Sequence, residues 1–500
     1  MARQPPSHHV GNRREFLEKS GAGFAGLALA SLLERDGFFT KQGHAAPSSL
    51  QSTNFQAARI ADPVKICEPH FEPRAKNVIF LFMYGGPPSM DTWDYKPELQ
   101  KRDGEKIDIE TRRRKVTQGT LLGSKQKFRR HGKSGLWGSD SFPHINACLD
   151  DICVIKSLYA DTFAHASALI QMNSGSVIQG HPTLGSWLSY GLGSENENLP
   201  AYIVMLDPRG GPIAGAANWS NGYMPAAYQG MHLRNKGEPI LDLASKSRMT
   251  RDMQRDQLSV LQSFNARHFA SRPGYSELQA RIASYELAYQ LQITAPEAMD
   301  LSQETRHTQE MYGLFDDYEQ ISEAIGPQTF GQQCLIARRL IERGTRFVQI
   351  YSGGGHADQT WDAHGNVEKN LRIHAPEIDR PIRGLLTDLK QRGLFEETLI
   401  VWGGEFGRQA VSQSEKGRDH NPLGFLYWLA GAGVKQGYSH GETDPLGHRA
   451  VENRHHIRDL HATILHLMGL DHEKLTYFYG GLDHKLTSVQ PAEVIHEVIA

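Results

Sequence analysis

Short apolar runs recur along the chain and alternate with longer stretches whose apolar residues fall at helical spacing. The runs cover residues 78–83, 152–158, 201–206, 347–351, 399–402 and 425–429. A largely apolar segment of that length, entering a glycine-rich or polar loop, suits a strand covered on both faces. Residues 332–342, 376–391 and 457–468 show the helical pattern. Strands separated by helices predict an α/β fold: a doubly wound, mainly parallel sheet flanked by helices. Such sheets hold their sites at the carboxyl ends of the strands, so the loops after Met83, Tyr351 and Trp402 matter most. Residues 208–330 break the rhythm, with a glycine-rich stretch at 210–228 and polar helical stretches that include 278–291. They read as an insertion covering the sheet's edge or the mouth of the site.

The first residues form an address rather than part of that core. Asn12-Arg13-Arg14-Glu15-Phe16-Leu17 precedes an apolar, small-residue run at 21–33 and a cleavage-like Gly43-His44-Ala45. A charged region, a short apolar region and a small-residue site make a signal peptide. The run falls short of the ~20 residues that span a bilayer. Paired arginines before Phe-Leu resemble the twin-arginine signal, whose machinery exports folded proteins; the competing reading is an amphipathic start to a cytoplasmic protein. The expected organisation is a twin-arginine signal at 1–45, a Ser/Pro/Ala-rich linker at 46–75 and one domain at 76–500. The mature protein is expected to be periplasmic or extracellular, with no stable transmembrane anchor.

Composition narrows the partners. A net charge of −2 over 500 residues gives no global field for nucleic acid. The run Arg112-Arg113-Arg114-Lys115 lacks interleaved aromatics and reads as a solvated loop. Four cysteines show no metal-knuckle spacing; Cys148 and Cys153 either pair after export or stay as buried thiols. Histidine stands out, since twelve of the 24 fall between His356 and His484, where the acidic motifs also gather.

Four constellations carry candidate chemistry. After the run at 347–351, the loop from Gly353 to Asn366 holds His356, Asp358, Asp362 and His364. Asp362 and His364 alternate, so in extended backbone they face the same way. A mixed carboxylate–imidazole set suits zinc, manganese or iron better than calcium; the bland reading is a hydrogen-bonded loop. Glu405 and Arg408 follow the run at 399–402, and Arg418-Asp419-His420 comes next. Guanidinium groups there suit a sulfate, phosphate or carboxylate through paired donors, unless Arg418 and Asp419 form a local ion pair. His455 and His456 sit at the start of a helical pattern, where one of them can reach a metal. Asp161-Thr162-Phe163-Ala164-His165 lies at a strand-to-helix junction, whose N–H groups suit an anion. His165 is equally readable as a cap or core residue.

These motifs together resemble the family called domain of unknown function 1501. The resemblance rests on Tyr84-Gly85-Gly86-Pro87-Pro88-Ser89 with Asp91 and Asp94, Trp361-Asp362-Ala363-His364-Gly365, Glu405-Phe406-Gly407-Arg408, Gly417-Arg418-Asp419-His420 and Asp459-Leu460-His461-Ala462-Thr463-Ile464-Leu465. That family is related to sulfatases, alkaline phosphatases and cofactor-independent phosphoglycerate mutases. The resemblance implies an alkaline-phosphatase/sulfatase-like core with one or two metals beside a nucleophile. Departures stand at the first strand's end, where Tyr84 and Gly85 replace an aspartate that Asp91 or Asp94 would have to supply. They stand also at His165, which occupies the nucleophile's place, and at Glu405-Phe406, where an Asp-His pair is usual. The metal half that matches is Asp362, His364 and one of His455 or His456.

The resulting expectation is an exported metal-dependent hydrolase of a sulfate or phosphate ester, small or polysaccharide. His165, Arg408 and Arg418 would serve catalysis, His165 either by attacking the ester or, the preferred role, by lining the site or holding the metal while a metal-bound water attacks. A divalent metal (zinc, manganese or calcium) would draw ligands from Asp362, His364, His455, His456, Glu405, Asp419, His420 and Asp91. The rival is a catalytically inactive binding protein that kept the fold.

Overall fold

A computed structural model describes residues 55–59, 62–63, 65–196, 198–234 and 296–500, with isolated residues between 253 and 264. The expected signal at 1–45, part of the linker, and the helical stretch at 278–291 lie outside the described residues.

The first half contributes β1 (Asn77–Met83), β2 (Ile152–Tyr159), α1 (His165–Ser174), α2 (Leu184–Leu192), β3 (Tyr202–Met205) and β4 (Met231–Leu233). The second half adds α3 (Pro327–Ile341), β5 (Phe347–Ser352), α4 (Val367–Gln391), β6 (Thr398–Gly403), β7 (Gly407–Ser412), β8 (Arg418–Asn421), β9 (Phe425–Ala430), β10 (Tyr438–His440), β11 (His455–His456) and α5 (Ile457–Leu467). One nine-stranded sheet runs β10-β2-β9-β6-β1-β5-β3-β4, with β11 also paired to β2. β1 is central and parallel to both neighbours, Val78 lying opposite Leu399 on β6 and Phe347 on β5.

Every residue of β1 is buried. Its period of two divides them between two cores. Val78, Phe80 and Phe82 face the core shared with Leu169 of α1, Trp187 of α2 and Ile464 of α5. Ile79, Leu81 and Met83 face the core shared with Leu335 of α3 and Leu385 of α4. Helices therefore cover both faces, which is why the strands read as continuous apolar runs rather than alternating ones.

Two elements differ from the sequence reading. β9 runs antiparallel to β6 and β2, against all other strands of the sheet. The chain between β6 and β9 folds as the hairpin β7–β8 rather than a crossover helix, and a parallel return needs such a crossover. The helix placed at 376–391 starts instead at Val367, where the Asn366 side chain accepts a hydrogen bond from Lys369 N. Pro376 and Pro381 thus sit inside α4. An Asn cap outranks proline as a start signal when tertiary packing holds the kinked turn.

Arg112, Arg113 and Arg114 are exposed, as a solvated loop requires. Cys148 and Cys153 are buried thiols, not a pair. No helix among the described residues is long and apolar enough to cross a membrane.

Candidate metal centre

The centre forms where the carboxyl ends of β1, β5 and β6 meet the start of α1. Beyond Met83 the chain turns through Gly85, whose φ of +116° excludes most side chains; a Cβ there would lie 2.5 Å from Asp362 N. That close approach aims Gly85 N at both oxygens of Glu405, at 3.0 and 3.1 Å. Glu405 stands two residues past β6 and is fully buried. Asp362 follows a short turn after β5, and His364 comes two residues later. The hairpin β7–β8 sets His420 opposite Arg408. His165 is the first residue of α1.

Three imidazoles converge on one carboxylate. His420 Nε2 and His364 Nε2 each lie 3.0 Å from Asp362 Oδ1, and His165 Nε2 lies 3.3 Å from Asp362 Oδ2. One donor atom from each of the four residues lies within 4.8 Å of every other. The opposite ring nitrogens all meet acceptors. His420 Nδ1 is 2.8 Å from Phe163 O, His165 Nδ1 is 2.7 Å from Glu405 Oε1, and His364 Nδ1 meets Gln413 Oε1. An acceptor on Nδ1 fixes the proton there and leaves Nε2 with its lone pair toward Asp362. Lone pairs facing a carboxylate oxygen repel it unless a proton or a cation lies between. The donor set therefore fits a divalent ion, and three imidazoles with one carboxylate suit zinc, manganese or iron. Arg408 also reaches Asp362 Oδ1.

Electrostatics follow from that crowding. Burial alone would raise Asp362, but Arg408 and the three histidines hold its carboxyl far below the usual carboxylate range. Burial likewise opposes a charge on His165, yet Asp362 and Glu405 outweigh it and raise this ring to about 9. His420 goes the other way, to about 4, through burial together with Arg408 and His165.

One expectation for the metal-free protein follows. His165 is bound more tightly to its proton when folded, so its contribution is complete below about pH 6.5 and disappears as pH rises through about 9. A shift of that size amounts to roughly 3 kcal/mol. Urea midpoints of chelator-treated protein should fall across this window, and His165→Gln should flatten the fall. A wild-type midpoint that stays level would show the folded ring to be neutral throughout.

Residues 75–499 match the model of the family described as Protein of unknown function (DUF1501). The chain belongs to that family. No curated protein matches this DUF1501 chain. Among solved structures, the lipoteichoic acid synthase LtaP from Listeria monocytogenes is 10% identical, with 84% of this chain and 78% of that one covered and a TM-score of 0.34. The PsFucS1 sulfatase from Pseudoalteromonas sp. is 10% identical, covering 88% and 76% at a TM-score of 0.31. The phosphonate monoester hydrolase of Agrobacterium radiobacter is 13% identical, covering 80% and 74%, also at 0.31. Overlap at such TM-scores bears on neither the site nor the activity.

The DUF1501 chain thus brings together four of the predicted site residues, His165, Asp362, His364 and His420. It places the others elsewhere. Glu405 does not join the ligand atoms; it holds His165 Nδ1 and the Gly85 peptide. Asp91 is a buried partner of Arg418, 2.9 Å from its Nε, and lies outside the cluster. Asp94 pairs with Lys96 at 2.9 Å. Asp419 Oδ1 accepts from His420 N, so it neither pairs with Arg418 nor joins the cluster. His456 caps α5: its Nδ1 accepts from Arg458 N at 3.1 Å and its Nε2 lies 3.2 Å from Asp161. His455 faces His440 instead.

Both arginines have donors committed within the protein. Arg408 is fully buried and donates to the Gly85, Gly86 and Arg418 carbonyls as well as to Asp362. Arg418, equally buried, spends its donors on Asp91 and on the Gln409, Ala410 and Leu122 carbonyls. Arg418 borders a cavity of about 310 Å³ that Lys125 and Lys416 also line, but its own donors are taken by these partners. Gln413 and the Phe163 carbonyl escaped the sequence reading, because no residue-type signal marks an outer acceptor.

Proposed function

We propose that this chain is an exported metal-dependent hydrolase of a sulfate or phosphate ester, built on one divalent ion held by His165, His364, His420 and Asp362. The observation that carries the reading is the shared orientation of the three imidazoles, each with Nδ1 engaged outward and Nε2 turned to the same carboxylate. Such an ion supplies Lewis acidity toward an ester oxygen.

The chain's own residues do the rest. Glu405 holds the proton on His165 Nδ1, which keeps Nε2 available as a ligand. Arg408 offsets the charge of Asp362 and ties it to the loop after β1. His165 has both ring nitrogens committed, so it serves as a ligand rather than as the attacking group. The paired arginines at Arg13 and Arg14 support twin-arginine export to the periplasm or beyond.

Turnover of aryl sulfates and aryl phosphates should require added metal and vanish on chelation. Glu405→Gln keeps an acceptor for Gly85 N but loses the charge behind His165. It should weaken metal affinity by about 10–100-fold, read by titration of chelated protein with zinc. Unchanged affinity would remove Glu405 from the centre. The second reading, a binding protein without turnover, is favoured by the two internally satisfied arginines. Stoichiometric metal with no hydrolysis of either ester class would establish it. Export has its own check: Arg13→Lys with Arg14→Lys should leave the precursor inside the cell, and normal export of that variant would refute the signal.

A further inference from the structure

A second set of metal-type donors lies at the edge of the sheet. β10 and β11 both pair with β2, His440 opposite Ile155 and His455 opposite Leu158. Their rings stack with centroids 5.1 Å apart, and their Nε2 atoms stand 3.0 Å from each other. Glu497, exposed on the short turn His496–Val498, completes the group. One donor atom from each of His440, His455 and Glu497 lies within 4.8 Å of the other two.

His455 Nδ1 faces Asp459 Oδ2 at 3.6 Å, and that carboxylate also accepts from His456 N at 2.9 Å. A proton on His455 Nδ1 would leave the Nε2 lone pair turned toward His440 Nε2. Two imidazole nitrogens bound to one ion at about 2.0–2.1 Å and a tetrahedral angle stand about 3.3 Å apart. The observed separation is close to that edge. His440 is buried, His455 half-buried and Glu497 exposed, so the group opens to solvent on its carboxylate side. Two imidazoles and one carboxylate form a donor set for a zinc-class cation.

We propose that His440, His455 and Glu497 bind a zinc-class divalent cation that clips the C-terminal turn to the outer strands of the sheet. His440 and His455 lie 15 residues apart and Glu497 42 beyond, so the ion closes two loops that the unfolded chain leaves open. It also braces the residue before His456, which caps α5 and contacts Asp161 ahead of the first centre. This proposal does not rest on the function proposed above.

The test uses the full chain, stripped with chelator and titrated with zinc, and with cobalt(II) for its ligand-field spectrum. Wild type should take up two equivalents. His455→Gln and Glu497→Gln should each weaken one of them by at least ~10-fold, while Asp362→Asn weakens the other. Glu497 is exposed, so its replacement does not threaten the fold. Chelation should also speed trimming of the C-terminus by carboxypeptidase in wild type, with no such effect in Glu497→Gln. Wild-type stoichiometry and affinity in both His455→Gln and Glu497→Gln would overturn the clip. So would a single wild-type equivalent that only Asp362→Asn removes. A single equivalent removed only by Glu497→Gln would support the clip and would remove the centre at Asp362.

Discussion

Asp362→Ala is expected to abolish metal binding at the centre and to destabilise the metal-free fold by about 3–5 kcal/mol, the cost of leaving one member of a buried ion pair alone. Asp362 is the carboxylate on which three Nε2 atoms converge, so its loss removes the anionic member of the ligand set. The same carboxylate is the acidic partner of Arg408, which is fully buried and otherwise bonded to carbonyls. Without it a guanidinium and the His165 ring stand together with only Glu405 to balance them. Elemental analysis of folded protein reads the first effect, and urea unfolding of chelated protein reads the second. Full metal stoichiometry in the variant would place the centre elsewhere. Asp362→Asn separates the two effects, because its amide oxygen still accepts from Arg408 while the ligand charge is gone.

Asp91→Ala should match that loss of stability and leave the metal untouched. Asp91 and Arg418 face each other at 2.9 Å with almost no exposure, beneath the β7–β8 hairpin. Removing the carboxylate strands Arg418, again at about 3–5 kcal/mol. Replacing both members, as Asp91→Leu with Arg418→Met, should recover much of the loss, since a buried pair exchanged for apolar side chains of similar volume is often neutral. A stable Asp91→Ala protein that has lost its metal would instead make Asp91 a ligand.

The strands were legible because burial on both faces leaves a simple mark, an apolar run ending in a glycine-rich loop, as at Val78 to Gly86. The direction of β9 was not legible, since it depends on whether residues 404–424 form a helix or a hairpin. Glycines and polar residues there carry no helical period, and that is a cue in retrospect. In the centre, Asp362, His364 and His420 could be found from residue type and from position after a strand. Spacing alone could not join them to His165, because that contact links residues some two hundred positions apart, set by how α1 lies against the sheet; only the family resemblance put His165 beside a metal. The surroundings of Arg408 and Arg418 were not legible for a physical reason. Sequence shows a guanidinium's charge but not whether backbone carbonyls already use its donors. His455-His456 misled in another way. The stretch from His456 to Asp459 is a capping box with an imidazole where serine or threonine usually stands.

The central position of β1 has a consequence for the order of events during synthesis. Asn77 finds its partner at Thr398 and Val78 its other partner at Phe347. At about 5–20 residues per second, translation leaves β1 without its second neighbour for roughly 15–60 s. The strand that sits in the middle of the finished sheet is among the first made and among the last to be enclosed. Until β5 emerges the run Val78 to Met83 is a naked apolar strand, and until β6 follows one of its edges stays open, so whatever holds the nascent chain must keep that segment from pairing with another copy of itself.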